Sequence, residues 1–374
     1  MKHTTNDTTP SITPNQLPQP TTATITSAHY KQRAADFIVN EILTIDFSGN
    51  GEHLWLFIEK QGMNTLFVIN ALAKWANIPR RDIGYSGLKD RHAITRQWFS
   101  LRLPTQNLPD TTFFLEDTEQ QEYAKVIETH WHHKKLNRGT HKANEFIITL
   151  RDVAGDMDAI DAQLQQLADM GIPNYFGEQR FGRDGDNIQQ ALEWLENGTI
   201  HGRKPHPKKS RDMQSLLLSS ARSLIFNEIL AARVQNKTWN TGMDGDVFNL
   251  DGTGSVFASE MLDATLTQRL ITGDIHPTGV MWGVKNDKIQ GSAKELEIQT
   301  VQNNELLSRL ATAIEKQGIK SSRRPLRLSI HNLTWHWITE QTENKPSLKL
   351  YFCLPTGSYA TSVLSALIQP EKLS

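Results

Sequence analysis

The order in which hydrophobic periodicities occur along this chain restricts its fold more than any single motif. Alternating runs rich in β-branched and aromatic residues sit at both ends, and helical spacing fills the middle. "DFIVNEILTIDF" (36–47) and "HLWLFIEK" (53–60) read as strands joined by a glycine turn, and "AKVIETHWH" (124–132) and "NEFIITLR" (144–151) read as two more. Between them, "NTLFVINALAKWANIP" (64–79) has helical spacing through Leu66, Ile69, Leu72 and Ala76 and is stopped by Pro79. "DMDAIDAQLQQLADMGIP" (156–173) is a helix with Ile160, Leu164 and Leu167 on one face. Helical patterns then dominate at 186–197, 212–235, 259–271 and 303–317. Strand patterns return in "PLRLSIHNLTWHWI" and "SLKLYFCLP", followed by a last helix at 359–368. A sheet assembled from both chain ends, with a helix-rich domain inserted between them, satisfies this order, because chain termini tend to lie close together on a folded domain. The expected class is α+β with a mainly antiparallel sheet core. Its parts are 29–170 and 334–374, the insertion is 171–333, and residues 1–28, rich in Thr, Pro, Asn and Gln, are expected to be a disordered tail.

Charge and cysteine content narrow the partners. The 374 residues carry a formal net charge of −1 and a single cysteine, Cys353, so no intramolecular disulfide is possible and a reducing, cytoplasmic setting is expected. No run has the length of a membrane span. Three local basic stretches stand out: "HHKKLNRGTHK" (132–142), "HGRKPHPKKSR" (201–211) and "KSSRRPLR" (320–327). In a near-neutral chain they point to a polyanionic partner. His132, His133 and His141 lack the carboxylate or thiolate spacing of a metal site and read as RNA-facing or solvated.

"YSGLKDRHAITRQWFSL" (85–101) places Lys89, Asp90, Arg91 and His92 together after Gly84 and Gly87, on a turn feeding a strand. Taken alone, such a cluster is most often a solvated turn. An unperturbed Asp is already ionised at neutral pH, and the cations flanking Asp90 favour that form further. Which cation touches it is open, because neighbours on an extended segment point to opposite sides.

This stretch resembles the signature loop of the TruD family of tRNA pseudouridine synthases. "GIPNYFGEQRFGRDGDN" (171–187) resembles the family's second hallmark, and "RAADFIVNEI" (33–42), "HKANEFIITLR" (141–151) and "LPTGSYATSVL" (354–364) match three further segments in the same order. The resemblance implies a pseudouridine-synthase-type core with an inserted α/β TRUD domain. It also implies isomerisation of a uridine in tRNA, typically uridine 13, by Asp90 without metal or organic cofactor. It places Phe37, Asn144, Tyr359 and Lys89 at the substrate, tRNA as the partner, and no obligate protein partner. The chemistry agrees: a carboxylate can attack carbon or stabilise a cationic sugar while a glycosidic bond breaks, and an extruded base needs aromatic faces. Phe37 and Tyr359 are accordingly expected to be partly exposed. Two departures from the family pattern are Tyr359, where many bacterial members carry Phe, and Ser365–Ala366, where an Arg-Glu pair is common. The alternatives are an RNA-binding protein that helps tRNA fold, with catalysis secondary or absent, and a nucleoside hydrolase. Asp90 opposes the first, since binding a polyanion gains nothing from a carboxylate.

Overall fold

The computed structural model describes residues 17–109, 112–182, 185–200, 202, 210–284, 288–339, 345–369 and 372–373. By contacts the chain divides into two compact units. One comprises Ala23–Asp169 and Ile330–Ser374; the other comprises Met170–Ser329 with the segment up to Thr22. Among the described residues no helix is long and apolar enough to cross a membrane.

The first unit is built on one large sheet. Its strands are β1 (Ser27–His29), β2 (Phe37–Ile42), β3 (His53–Gln61), β4 (Ile83–Tyr85), β5 (Ile94–Arg102), β6 (Phe114–Asp117), β7 (Glu122–His132) and β8 (Ala143–Ala154), with two late strands, Ser347–Pro355 and His331–Ile338, completing it. The order is His331–Ile338, Ser347–Pro355, β8, β2, β5, β3, β7, β6, with β1 on β8 and β4 on β5. The β2–β5 pairing is parallel and every other pairing in this sheet is antiparallel. Helix α1 (Thr65–Trp75) packs Val68, Ile69 and Leu72 against Leu54, Leu56, Ile58, Phe99 and Leu101. Leu66, expected on the inward face of this helix, is 44% exposed, because Asn64 caps the Phe67 amide and so sets Thr65, not Leu66, inward. Helix α2 (Met157–Met170) buries Ile160, Leu164 and Leu167, and its Asp161 accepts the indole N–H groups of Trp335 and Trp337.

The expected tail of 1–28 needs correction at its end. Positions 1–16 lie outside the described residues, but Ile25 is buried and bridges to Ile368, and Thr24 donates twice to the side chain of Gln163. One buried isoleucine and a strand pairing fix this segment where its polar composition suggested none.

The second unit contains β9 (Ile172–Pro173), α3 (Asp186–Asn197), α4 (Ser210–Gln235), β10 (Val247–Leu250), β11 (Val256–Ala258), α5 (Ala264–Ile271), β12 (Ile275–Met281), α6 (Gly291–Gln302), α7 (Glu305–Lys316), β13 (Ser322–Pro325) and β14 (Arg327–Leu328). Its four-stranded sheet runs β11-β10-β12-β13, all antiparallel. Residues of α3, α4, α6 and α7 share one apolar core. Arg233 of α4 and Asp246 form a fully buried bidentate pair at 2.8 and 2.6 Å. The basic stretch 320–327 is mostly spent inside this unit. Arg323 pairs with Glu297, Arg324 donates to Asn174 and Arg327 to His276, so it is not the open basic loop its composition suggested. The stretch 201–211 lies mostly outside the described residues.

Candidate active site

The turn that carries Asp90 is held from beneath by three side chains that are almost wholly buried. Gln97 donates to the Gly87 carbonyl at 3.0 Å, Thr65 accepts the Lys89 amide at 2.9 Å, and Lys60 donates to the Asp90 carbonyl at 2.7 Å. Thr65 and Gln97 are bonded to each other at 2.9 Å. Backbone groups that a solvated turn would give to water are therefore fixed by the sheet and by the first turn of α1. Burial pushes the Lys60 ammonium down to about 8, against the favourable charge of Asp90. Gly84 is required by close approach: a Cβ there would lie 2.2 Å from the Leu136 carbonyl oxygen. Neither Gly84 nor Gly87 has a positive φ, so it is space, not an unusual backbone angle, that calls for glycine at 84.

The Asp90 side chain is 39% exposed and accepts from the His92 amide at 3.1 Å and from the Lys31 ammonium. Burial raises its carboxyl, but the Lys31 hydrogen bond and charge, with help from His92, outweigh this and hold it below the usual range. The cation is thus neither of the sequence neighbours. Lys89 turns the other way and pairs with Glu41 at 2.7 Å, both side chains being buried. Glu41, pushed up by burial and drawn back by Lys89, also accepts the Trp98 amide. Arg91 bonds Glu122 and the Gly62 carbonyl. A substrate contact by Lys89 therefore needs correction: its ammonium is committed to a buried carboxylate.

Lys31 has a left-handed backbone (φ 56°), and its ammonium lies 4.1 Å from the centre of the Phe37 ring. Phe37 is only 6% exposed, with Tyr30 edge-on at 5.6 Å, so the expected partial exposure is not found. Its ring belongs to the inward row Phe37, Val39, Glu41 of β2, and Lys31 covers what the sheet leaves open. Asp90 and Phe37 are thus brought together through Lys31.

Asn144 on β8 stands directly across from Glu41 of β2, and its Nδ2 is 3.3 Å from His141 Nε2. His141 and His132, read from sequence as facing RNA or solvent, are both buried; His133 is exposed. Tyr359 is 59% exposed at the start of α8 (Ala360–Leu367). The strand preceding it is β16 (Ser347–Pro355), which follows β15 (His331–Ile338), and just beyond it Thr356 donates to the His141 carbonyl. At the positions where the family resemblance leads us to expect an Arg-Glu pair, Ser365 bonds within α8, and Ala366 is buried with its carbonyl accepting from Gln163.

Five buried or half-buried polar groups at this site escaped the sequence reading: Lys31, Lys60, Glu41, Thr65 and Gln97. Two carried a readable signal. Lys60 continues the inward row Leu54, Leu56, Ile58, and Glu41 continues Phe37, Val39, so each is a charge at an apolar position of a strand.

A family model described as tRNA pseudouridine synthase D (TruD) matches residues 21–194 and 204–367. A tRNA pseudouridine synthase D of Psychrobacter arcticus is 49% identical over 379 residues, covering 95% of this chain and 93% of its own. One from Xanthomonas campestris pv. campestris strain B100 is 44% identical, covering 93% of each chain. A solved Methanosarcina mazei structure, provisionally described as a tRNA pseudouridine synthase D, superposes with a TM-score of 0.70 at 19% identity. That match covers 95% of this chain and 97% of the other and is a likeness of fold.

Proposed function

The chain belongs to the tRNA pseudouridine synthase D family, and we propose on that premise that it isomerises uridine 13 of tRNA to pseudouridine through the Asp90 carboxylate. The observation that carries the role of Asp90 is a solvent-accessible, ionised carboxylate on a turn whose backbone is pinned at Gly87, Lys89 and Asp90 by buried side chains. Positioning of that kind is what covalent or electrostatic catalysis at carbon requires. The reaction breaks the C1′–N1 bond, turns the uracil and joins C1′ to C5. The proton lost from C5 is balanced by one gained at N1, so no atom enters or leaves. Asp90 attacks the nucleotide at carbon or stabilises the cationic sugar. Lys31 keeps it ionised until the base arrives, and a uracil stacking on Phe37 displaces the Lys31 ammonium from the ring face. Tyr359 supplies the exposed aromatic wall, and the unit of 170–329 serves as the inserted TRUD domain.

Tritium at C5 of uridine in tRNA distinguishes this chemistry from its rivals. Isomerisation releases tritium to water with all uracil retained in the RNA. Release of free uracil would indicate hydrolysis, and binding without tritium release would indicate an RNA-folding role.

Two expected outcomes follow from the geometry. Tyr359→Ala lowers kcat/KM roughly tenfold to a hundredfold, since base–aromatic stacking is worth about 1–3 kcal/mol. An exposed ring contributes little to folding, so the melting temperature should stay near wild type. Phe37→Ala should instead cost about 3–5 kcal/mol of stability, as truncation of a buried aromatic does. An early-melting Tyr359→Ala with normal turnover would make Tyr359 a core residue.

Lys31→Met tests the ion pair by pH. Asp90 is depressed in the folded protein, so its charge persists at pH values where an ordinary carboxyl is already protonated and is lost only as pH falls through the lowered value. Without Lys31 the opposing effect of burial dominates, and the acid limb of the rate profile should move upward. An acid limb unmoved in Lys31→Met would mean that another group keeps Asp90 ionised.

A further inference from the structure

Resting on the proposed uridine chemistry, we infer that Ser86 and His141 fix the side-chain amide of Asn144 so that its Oδ1 is the acceptor for a donor of the target uridine, the base N3–H or a sugar hydroxyl.

A side-chain amide presents an acceptor or a donor depending on which way it is turned, and only its neighbours decide. Here the neighbours are specific. Asn144 directs Nδ2 at His141 Nε2, 3.3 Å away, which makes Nε2 the acceptor. The ring proton then resides on Nδ1, which faces Ser86 Oγ. The same Ser86 oxygen accepts the backbone N–H of His141 at 2.9 Å, so the serine holds both the ring and its main chain. Thr356 donates to the His141 carbonyl and fixes the remaining end of the residue. Burial, followed by the nearby Lys89 charge, pushes the His141 ring down to about 4, so it is neutral at neutral pH and can accept from Asn144.

The consequence lies on the other side of the amide. Asn144 is 8% exposed, and its Oδ1 is buried with no hydrogen-bond partner among the described residues. A buried acceptor left unpaired is costly, and buried polar groups in native proteins nearly always have partners. A ligand bringing an N–H or O–H recovers that cost. Uracil carries a hydrogen on N3 and cytosine does not, so where the donor is N3–H an acceptor fixed here also rejects cytidine, because the wrong base leaves buried groups unpaired; where it is a sugar hydroxyl the two nucleosides are not distinguished. Neither Ser86 nor His141 touches substrate in this scheme; both are positioning residues.

Nitrogen-15 shifts of the His141 ring in the full-length protein test the premise directly. A neutral ring protonated on Nδ1 is expected between about pH 6 and 8; a ring protonated on Nε2 would turn the amide round and overturn the inference. Turnover tests the consequence. His141→Phe keeps a flat ring without an acceptor and should lower kcat/KM on uridine-containing tRNA roughly tenfold, with a moderate fall in melting temperature because Ser86 and Asn144 each lose a buried partner. His141→Gln, whose Oε1 can accept from Asn144, should restore most of the loss. Two substrates then identify the donor. If the penalty of His141→Phe vanishes on tRNA carrying 3-methyluridine at the target, the donor is the base; if it vanishes on a 2′-deoxy target, the donor is the sugar. Should His141→Phe fail to fold, Ser86→Ala replaces it, with a smaller loss expected on uridine. Full activity in the folded variants, or the same penalty on both modified substrates, would overturn the relay. A wild-type protein that makes no pseudouridine would instead overturn the reading on which it rests.

Discussion

Asp90→Asn is expected to lower pseudouridine formation by roughly a thousandfold or more, the scale on which removal of a reacting group acts, while tRNA affinity changes by no more than a few-fold. The amide is nearly isosteric with the carboxylate, but its single oxygen can replace only one of the two acceptors that Lys31 and the His92 amide use, so it keeps one of these contacts and the turn relies on its backbone anchors for its shape. What it loses is the charge that attacks carbon or stabilises a cationic sugar. The backbone anchors from Gln97, Thr65 and Lys60 do not involve the carboxylate and are untouched. Single-turnover kinetics beside a tRNA binding isotherm on the same preparation check both halves. Appreciable turnover by Asp90→Asn would remove Asp90 from the chemistry, and a large loss of affinity would make it a binding residue.

The largest effect on stability is expected at Lys89. Lys89→Met leaves the Glu41 carboxyl buried without its cation, and breaking a buried pair from one side typically costs about 3–5 kcal/mol. The double variant Lys89→Met with Glu41→Gln should recover most of that, because it removes both charges instead of stranding one and keeps an acceptor for the Trp98 amide. The catalytic turn also loses a support two atoms of backbone away from Asp90, so kcat should fall in Lys89→Met more than KM rises. A substrate contact by Lys89 predicts the reverse: a raised KM, unchanged stability, and no recovery in the double variant. Thermal melts of the two variants beside their kinetics distinguish these outcomes.

What could be read from the chain alone depended on whether a residue acts through periodicity or through a distant partner. The sheet from both chain ends was legible because β2, β8 and β16 alternate and β3 is a nine-residue run opening on five apolar residues after His53. Helix α6 was not, because its inward row includes Glu297, a charge that is accommodated by Arg323 arriving from β13 and by the Val280 amide of β12. Strands β10 to β13 are short, and β12 contains both Pro277 and Gly279, which break a strand pattern. At the site, the loop around Asp90 was legible as a motif, but its electrostatics were not. The neighbours Lys89 and Arg91 leave on opposite sides, and the partner Lys31 lies 59 positions away in sequence. Phe37 alternates with Val39 and Glu41 on β2 and is buried with them, a placement that strand periodicity carries and the partial exposure expected of a stacking face does not. His141 shows the same lesson: a histidine in a basic stretch is here a core residue with both ring nitrogens engaged.

Position-resolved mapping of pseudouridine in tRNA incubated with the purified chain tests the central claim most directly. The account predicts one new pseudouridine, at position 13, formed by the wild-type protein, absent with Asp90→Asn, and accompanied by no free uracil. A wild-type protein that binds tRNA and leaves every uridine unchanged, or that liberates uracil, would contradict it.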